Sequence, residues 1–109
     1  MSFHSLAELA VFLGEFAAAR DWEQFHSPKN LAMALSVETA ELTEHFQWLT
    51  QDQSLALNEQ QREAVALEMA DVLIYLVRMA DRLDIDLLEA ARRKVVLNAK
   101  KYPTKQRDE

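Results

Sequence analysis

Two pairs of acidic residues have the residue types and the spacing of a divalent-metal site. Glu38 and Glu41 lie three positions apart, and Glu68 and Asp71 repeat that spacing further along the chain. Residues three apart lie on one face of a helix. Four converging carboxylates repel one another unless cations lie between them, and carboxylate oxygens suit Mg²⁺ or Mn²⁺ better than Zn²⁺. These four residues are therefore predicted to bind Mg²⁺, with Mn²⁺ as the alternative ion.

Glu38 lies within the apolar stripe of the helix that carries it. Leucine and phenylalanine recur at steps of three or four on both sides of this position, and Glu38 fills the one larger gap in their spacing. A carboxylate at the centre of a core-facing stripe is costly unless it is paired, hydrogen-bonded or bound to a metal. The position of Glu38, more than its spacing from Glu41, favours a metal site.

The second acidic pair belongs to a narrow polar strip on a long apolar segment. Residues 64–80 contain only three charged side chains, Glu68, Asp71 and Arg78. At 100° per residue these three fall within an arc of about 80°. A helix of this kind is surrounded by protein on most sides. The strip either faces solvent or faces the acidic pair of the earlier helix, and the spacing alone leaves both interpretations open.

The periodicity of apolar residues predicts an all-α fold, a four-helix protomer without strands. The helices are expected over about residues 5–19, 28–49, 58–83 and 86–101, with capping residues at their starts. Ser27 and Pro28 are a favourable cap and first position for the second helix. Residues 20–28 and 50–57 are expected to be connections, and the charged tail 104–109 is expected to be frayed.

Length and composition predict one domain over residues 1–109. Half of the residues are hydrophobic, which is enough for one core and a surplus for a subunit interface. We therefore expect the chain to form oligomers. The net charge of −6 disfavours a nucleic acid polymer as partner. No signal peptide or membrane span is recognised, so a cytoplasmic location without membrane contact is expected.

Several classes of site are excluded by residue type. The chain has no cysteine, which excludes disulfides, thiolate metal ligands and cysteine nucleophiles. Gly14 is the only glycine, so neither a Walker loop nor a GxGxxG turn can form. A di-iron bundle normally uses two ExxH motifs, and the only one here, from Glu23 to His26, falls in a predicted loop.

The acidic motifs and their surroundings resemble a known family. Residues 35–42, LSVETAEL, followed by residues 68–73, EMADVL, resemble the MazG-like all-α nucleotide pyrophosphohydrolases. Residues 21–26, 46–48 and 71–76 are similar to the dCTP pyrophosphatase branch of that superfamily. The resemblance implies hydrolysis of a deoxynucleoside triphosphate, with dCTP or a similar nucleotide preferred, to the monophosphate and pyrophosphate. Such an activity removes unwanted nucleotides from the cellular pool.

The resemblance also implies a homodimer or homotetramer that assembles into a larger helical bundle, and it implies roles for individual residues. It assigns the four carboxylates to Mg²⁺, with one of them free to accept a proton from the attacking water, and we choose Glu41 for that general base. Residues that match the family's phosphate contacts are Lys94, Asn98, Lys101 and Tyr102. Residues that match its nucleobase pocket are Trp22, Trp48 and Tyr75, with His26 either lining the same pocket or bonding locally.

One departure and one alternative remain open from the sequence. Leu13 stands where the animal enzymes of this branch carry a pocket histidine. Cytosine is the base that we expect, and a broader set of deoxynucleotide substrates is left open. The alternative function is a noncatalytic helical module that oligomerises or docks a partner protein. That module predicts that Glu38 and Glu68 lie apart or face solvent.

Overall fold

The computed structural model describes residues 2–105, and over that range it contains helices and no strand. The predicted all-α class is confirmed, with all four predicted helices present and one short helix in addition. The helices are α1 (Leu6–Ala19), α2 (Pro28–Glu44), α3 (Gln51–Ser54), α4 (Glu59–Arg82) and α5 (Leu87–Lys101), with a 3₁₀ turn at Glu23–Phe25. No helix within the described range is long and apolar enough to cross a membrane. The predicted fraying of residues 106–109 lies outside the described residues.

Side-chain caps begin the long helices where the sequence predicts them. The Ser27 hydroxyl accepts a hydrogen bond from the Asn30 backbone N–H, and Pro28 occupies the first turn of α2. Asn58 and Gln61 form a reciprocal capping box at the start of α4. These bonds satisfy backbone N–H groups that have no partner within the helix. The caps thus define the starts of the two helices that carry the acidic pairs.

Helix α2 is shorter than predicted, because it ends at Glu44 instead of extending to residue 49. The N–H groups of His45 and Phe46 donate to carbonyls three residues back, which tightens the chain into turns. The apolar spacing continues through Phe46 and therefore overstates the length of the helix. The predicted connection that follows contains α3, an unexpected short helix that begins at a Thr50 capping box.

Helix α1 ends in a left-handed residue that is not glycine. Asp21 has φ 55°, and the Trp22 N–H donates to the Ala17 carbonyl across it. Asp84 has the same φ after α4. This is the geometry of a Schellman-type helix end, in which glycine is the usual residue. The turn at Asp21 directs Trp22 back towards the end of α1.

Helix α4 is the centre of the fold, since α2 packs extensively along it and α1 packs on it less extensively. The buried apolar side chains come from these three helices and are Leu9, Ala17, Leu31, Val65, Val77 and Ala80. Helix α5 has no comparable packing against another described helix, and all of its residues after position 90 are exposed. The core is therefore confined to α1, α2 and α4.

The surface of the chain is large for its mass. Its accessible area is 9076 Å², whereas a compact monomer of this size exposes about 6,200 Å². The radius of gyration is 17.6 Å, against about 13 Å for a compact domain of this length. Twenty large hydrophobic side chains are exposed within the described residues. A single protomer thus leaves a large amount of apolar surface uncovered.

Candidate active site

Three of the four predicted metal ligands meet between α2 and α4. One carboxylate oxygen from each of Glu38, Glu41 and Glu68 lies within 4.8 Å of the others. Glu38 and Glu41 occupy one face of α2, and the packing of α2 along α4 brings Glu68 opposite them. The polar strip of α4 thus faces the acidic pair of α2 at this point, as the metal-site interpretation requires.

The environment of these carboxylates is unfavourable for charge without a cation. Glu38 Oε2 and Glu68 Oε1 are both buried and have no hydrogen-bond partner among residues 2–105. The pKa of Glu38 is raised, first because a proton can be shared with the neighbouring Glu68 carboxylate, then by desolvation and by the charges of Glu68 and Asp71, while the corresponding interaction with Glu41 lowers it. Buried carboxylate oxygens without donors suit a hard divalent cation, which would supply the missing positive charge.

The fourth predicted ligand has a different position. Asp71 lies one turn beyond Glu68 on α4 and is not within the 4.8 Å group, although its charge acts on Glu38. Asp71 instead lines an adjoining cavity. The acidic cluster and that cavity therefore meet near Asp71.

The cavity brings three of the four predicted base-pocket residues together. Trp22, His26 and Tyr75 all contribute to it, from the loop after α1 and from α4. Aromatic and aliphatic side chains supply most of the remaining wall. The cavity has a volume of about 330 Å³ and is lined by Phe12, Leu13, Phe16, Ala17, Trp22, His26, Asp71, Ile74, Tyr75 and Arg78.

Two arginines of α4 hold the loop that carries Trp22 and His26. Arg78 Nε donates to His26 Nδ1 at 3.1 Å, and Arg82 Nε donates to the His26 carbonyl at 3.1 Å. The Trp22 ring packs edge-on against Phe16, with ring centroids 5.6 Å apart. These side-chain contacts fix the loop against α1 and α4, and they therefore hold this wall of the cavity in place.

The same contacts determine the protonation of His26. Burial lowers its pKa, and the charges of Arg78 and Arg82 lower it further. An arginine Nε can only donate, so Nδ1 must be the acceptor and the neutral ring carries its proton on Nε2. His26 therefore forms a hydrogen bond with Arg78 and also lines the cavity.

The remaining predicted substrate residues are not assembled with this cavity. Trp48 follows α2 in a turn and is 87% exposed, and it does not line the cavity. The four predicted phosphate contacts are exposed on or just after α5, the helix without extensive packing, and are Lys94, Asn98, Lys101 and Tyr102. In the described protomer these five side chains therefore do not line the cavity.

The exposed helix α5 has two distinct sides. On one side Glu89 forms ion pairs with Arg92 and Arg93, at 3.3 and 4.0 Å. Helical geometry places Val95 and Leu97 on either flank of the stripe that contains the predicted phosphate contacts. That stripe therefore lies at the centre of the more apolar side of α5, opposite its charged and solvated side.

Arg78 is the charged residue of the cavity lining to which the sequence assigns no role. Its place beside Glu68 and Asp71 in the polar strip of α4 is the signal that the sequence offers. Phe12 and Phe16 also line the cavity, but their helical spacing is indistinguishable from that of core residues. A cavity wall made of residue types that are common in protein cores cannot be predicted from a single sequence.

The fold and the site define the class of this chain. It belongs to the MazG-like family, whose model matches residues 33–109 and thus includes both acidic motifs. The resemblance predicted from these motifs is confirmed. A solved structure of a pyrophosphatase from Archaeoglobus fulgidus superposes with a TM-score of 0.86 and 42% sequence identity, covering 95% of this chain and 97% of that one.

Curated relatives give a more specific similarity. The chain is 46% identical over 101 residues to dCTP pyrophosphatase 1 from Homo sapiens, which covers 91% of this chain and 59% of that protein. The same protein from Mus musculus is 45% identical over 101 residues, with 91% and 59% covered. The chain therefore spans about three fifths of the length of the curated relatives it matches.

Proposed function

We propose that this protein hydrolyses a deoxynucleoside triphosphate, with dCTP or a similar nucleotide preferred, to the monophosphate and pyrophosphate in a Mg²⁺-dependent reaction. Its role would be to clear unwanted nucleotides from the pool. The observation that carries the proposal is an acidic cluster with unpaired buried oxygens beside an aromatic cavity. A triphosphate would bind at the first and a nucleobase at the second. The similarity to dCTP pyrophosphatases supports the choice of substrate.

The roles within the cluster follow from exposure and charge. Glu38, Glu41 and Glu68 would hold the ion, with Asp71 as a further ligand beside the cavity. Bound Mg²⁺, or Mn²⁺ in its place, supplies charge neutralisation for the triphosphate and lowers the pKa of a bound water. Glu41 is the exposed member of the cluster, so it is best placed to accept a proton from water as the α–β anhydride bond is hydrolysed.

The cavity supports recognition of a base by stacking and exclusion of water. Trp22 and Tyr75 contribute aromatic surface, and stacking of a base on an aromatic ring is worth about 1–3 kcal/mol. The volume of about 330 Å³ is in the range of small-ligand pockets. Because Asp71 lines the cavity, a base inside it would place the phosphates towards the carboxylates.

We also propose that two or more copies of the chain assemble and complete each other's sites. Helix α5 presents an apolar side without intrachain cover, and the accessible area exceeds that of a compact monomer. Burying this side against a second copy would bring cationic and amide groups of α5 near a partner's carboxylates. The predicted contributors from the second copy are Trp48, Lys94, Asn98, Lys101 and Tyr102.

The experiment is an assay of pyrophosphate release from each deoxynucleoside triphosphate, with Mg²⁺, with Mn²⁺ and with EDTA. We expect metal-dependent release with dCTP favoured. Glu38→Gln should reduce kcat/KM by more than about a hundredfold, since disturbing even the outer shell of a metal site costs tenfold to a hundredfold. Glu44→Gln is the matched control, because Glu44 is an exposed carboxylate of the same helix outside the cluster.

The absence of release from any nucleotide at saturating Mg²⁺ would refute the enzymatic function. That result would favour the helical oligomerisation or docking module, which the exposed apolar surface alone also allows. Equal loss of activity in Glu38→Gln and Glu44→Gln would instead contradict the role of the acidic cluster in hydrolysis. The convergence of Glu38 and Glu68 counts against that module, which requires no acidic cluster.

A further inference from the structure

Arg78 is a buried cation at the wall of the aromatic cavity. Only 4% of its surface is exposed, and it is the buried charged residue among those described. Its Nη1 donates to Asp81 Oδ2 at 3.1 Å, and its Nε donates to His26 Nδ1 at 3.1 Å. These two bonds, from different elements, fix the plane of the guanidinium. The charge itself is compensated by Asp81.

The third nitrogen of this guanidinium, Nη2, takes part in neither of these two bonds. Arg78 Nη2 is buried and has no hydrogen-bond partner among residues 2–105. A buried donor of a charged group without a partner is destabilising, more so than a neutral one. An acceptor that comes within hydrogen-bond distance of Nη2 would supply the partner that it lacks. Arg78 forms part of the cavity lining, so a ligand in the cavity lies against this side chain.

The position of Arg78 along α4 assigns it to the base end of the cavity. Asp71, Tyr75 and Arg78 follow one another at helical spacing on one face, and all three line the cavity. Seven residues of helix span about 10 Å, which is comparable to the reach of a nucleoside from its 5′ oxygen to the far side of its base. With the phosphates near Asp71, the base lies near Arg78.

The chemistry of arginine restricts the group that it can bind. A guanidinium has only donors, so its partner must be an acceptor and cannot be an amino group or a ring N–H. Cytosine presents two adjacent acceptors, O2 and N3, on its pairing edge. Thymine and uracil carry an N–H at that ring position, and guanine does as well. A donor-only residue at this edge therefore favours cytosine over thymine, uracil and guanine by hydrogen bonding.

We propose that Arg78 is a specificity-determining residue that donates through Nη2 to the O2 and N3 edge of a cytosine-like base. The inference rests on the proposed nucleotide hydrolysis and specifies the part of the base that is recognised. His26 and Asp81 act as positioning residues for the guanidinium, because their bonds leave Nη2 as its only uncommitted end.

The first test uses the unaltered protein and chemically edited nucleotides. The triphosphate of 3-deazadeoxycytidine replaces ring N3 by C–H and keeps the amino group, whereas the pyrimidin-2-one deoxynucleotide keeps O2 and N3 and lacks the amino group. We expect kcat/KM to fall about tenfold to a hundredfold for the 3-deaza compound and for dUTP, the range of a hydrogen bond to a charged group. The pyrimidin-2-one compound should stay within a few-fold of dCTP.

The second test compares two arginines of one helix. Arg78→Met should reduce the ratio of kcat/KM for dCTP over 3-deaza-dCTP towards one. Arg82→Met is the matched control, because Arg82 also holds His26 but does not line the cavity. It should lower kcat/KM for both nucleotides by the same factor and leave the ratio unchanged. A merely structural role of Arg78 would give the Arg82→Met result in both variants.

The outcomes separate this inference from the proposed function. If the unaltered protein hydrolyses no deoxynucleotide, the proposed function is wrong, and this inference falls with it. If it hydrolyses dCTP, 3-deaza-dCTP and dUTP equally well, or prefers dGTP, the function stands and the role of Arg78 is wrong. This comparison needs no variant, so it remains decisive even if Arg78→Met does not fold.

Discussion

Helices α2 and α5 are both amphipathic and both carry predicted ligands, but they are held by the fold in opposite ways. Helix α2 packs along α4, and this packing brings Glu38 and Glu41 to Glu68. Helix α5 carries Lys94 and Asn98 on an exposed side with no comparable packing. Three of the predicted metal ligands thus meet within one protomer, whereas the predicted phosphate contacts are presented outward.

This difference has a physical consequence for the function. A carboxylate cluster must be held at fixed distances, and the buried α2 and α4 interface provides that rigidity. An exposed amphipathic helix has no intrachain reason to keep its apolar side in water. Metal binding is therefore expected to be a property of the protomer, and efficient hydrolysis a property of the assembly.

The largest expected effect comes from a charge on the apolar side of α5. Val95→Glu should dissociate the assembly and lower kcat/KM by about a hundredfold, because burying an unpaired carboxylate in an interface is strongly unfavourable. Val96→Glu is the matched control, since Val96 lies on the charged side of the same helix. Val95 and Val96 are 66% and 56% exposed in the protomer. Analytical ultracentrifugation and the pyrophosphate assay would measure the two effects.

If both valine variants sediment and react like the unaltered protein, α5 does not form the proposed interface. If Val95→Glu abolishes binding of Mg²⁺, the protomer alone does not form the metal site, because the acidic cluster should be retained in it. Dissociation with retained metal binding is the expected combination.

A smaller effect is expected from the predicted phosphate contacts. Lys94→Gln should raise KM for the triphosphate about tenfold or more, since a charge-assisted hydrogen bond to phosphate is lost. Lys100→Gln removes the same charge from the solvated side of α5 and should change KM little. Steady-state kinetics at varied nucleotide concentration would measure both. Equal effects of the two substitutions would indicate only general electrostatic attraction.

In α1, Gly14→Ala should stabilise the protomer by about 0.5–1 kcal/mol, because glycine is unfavourable inside a helix. An added Cβ would lie 3.6 Å from Arg78 Nη1 and 3.7 Å from Asp81 Oδ2, which is ordinary contact. Urea unfolding would measure the change in the free energy of unfolding. A loss of stability would mean that α1 and the Arg78–Asp81 pair cannot accommodate a methyl group.

The smallest expected effect is a pH dependence of stability from His26. Its pKa is lowered in the folded chain from 6.5, by burial and by two arginines, so the unfolded chain binds this proton more tightly. Stability should therefore decrease as the pH falls below 6.5 towards the lowered folded pKa. His26→Gln should flatten this part of the curve, and His45→Gln, at an exposed position, should not. An unchanged slope in His26→Gln would contradict this assignment.

The sequence predicts the local features well because they depend on local chemistry. Ser27, Asn58 and Asp86 begin helices through bonds to residues three positions on, and such pairs are visible in the chain. The predicted end of α2 is too late because Phe46 continues the apolar spacing after the backbone has changed to turns. A helix end without glycine or proline leaves no clear signal in composition.

The site is predictable to the extent that its residues violate the pattern around them. Glu38 interrupts an apolar stripe, and this anomaly is visible in the amino-acid sequence alone. Arg78 stands out for the same reason, and Asp81 is a local partner three positions on, but His26 comes from a distant segment and is joined to Arg78 only by the fold. Phe12 and Phe16 violate no pattern, so the sequence predicts the cavity only in part.

The proposed metal site can be tested through stability, because an ion that binds the acidic cluster stabilises the folded chain. Thermal or urea unfolding should be measured with Mg²⁺ and with EDTA for the unaltered protein, Glu68→Gln and Glu63→Gln, the last being an exposed control on the same helix. At an ion concentration of about one hundred times Kd, Mg²⁺ should stabilise the first and third proteins by about 2.7 kcal/mol. Glu68→Gln should show almost no such stabilisation. Equal stabilisation of all three proteins, or of none, would contradict a metal site at Glu38, Glu41 and Glu68.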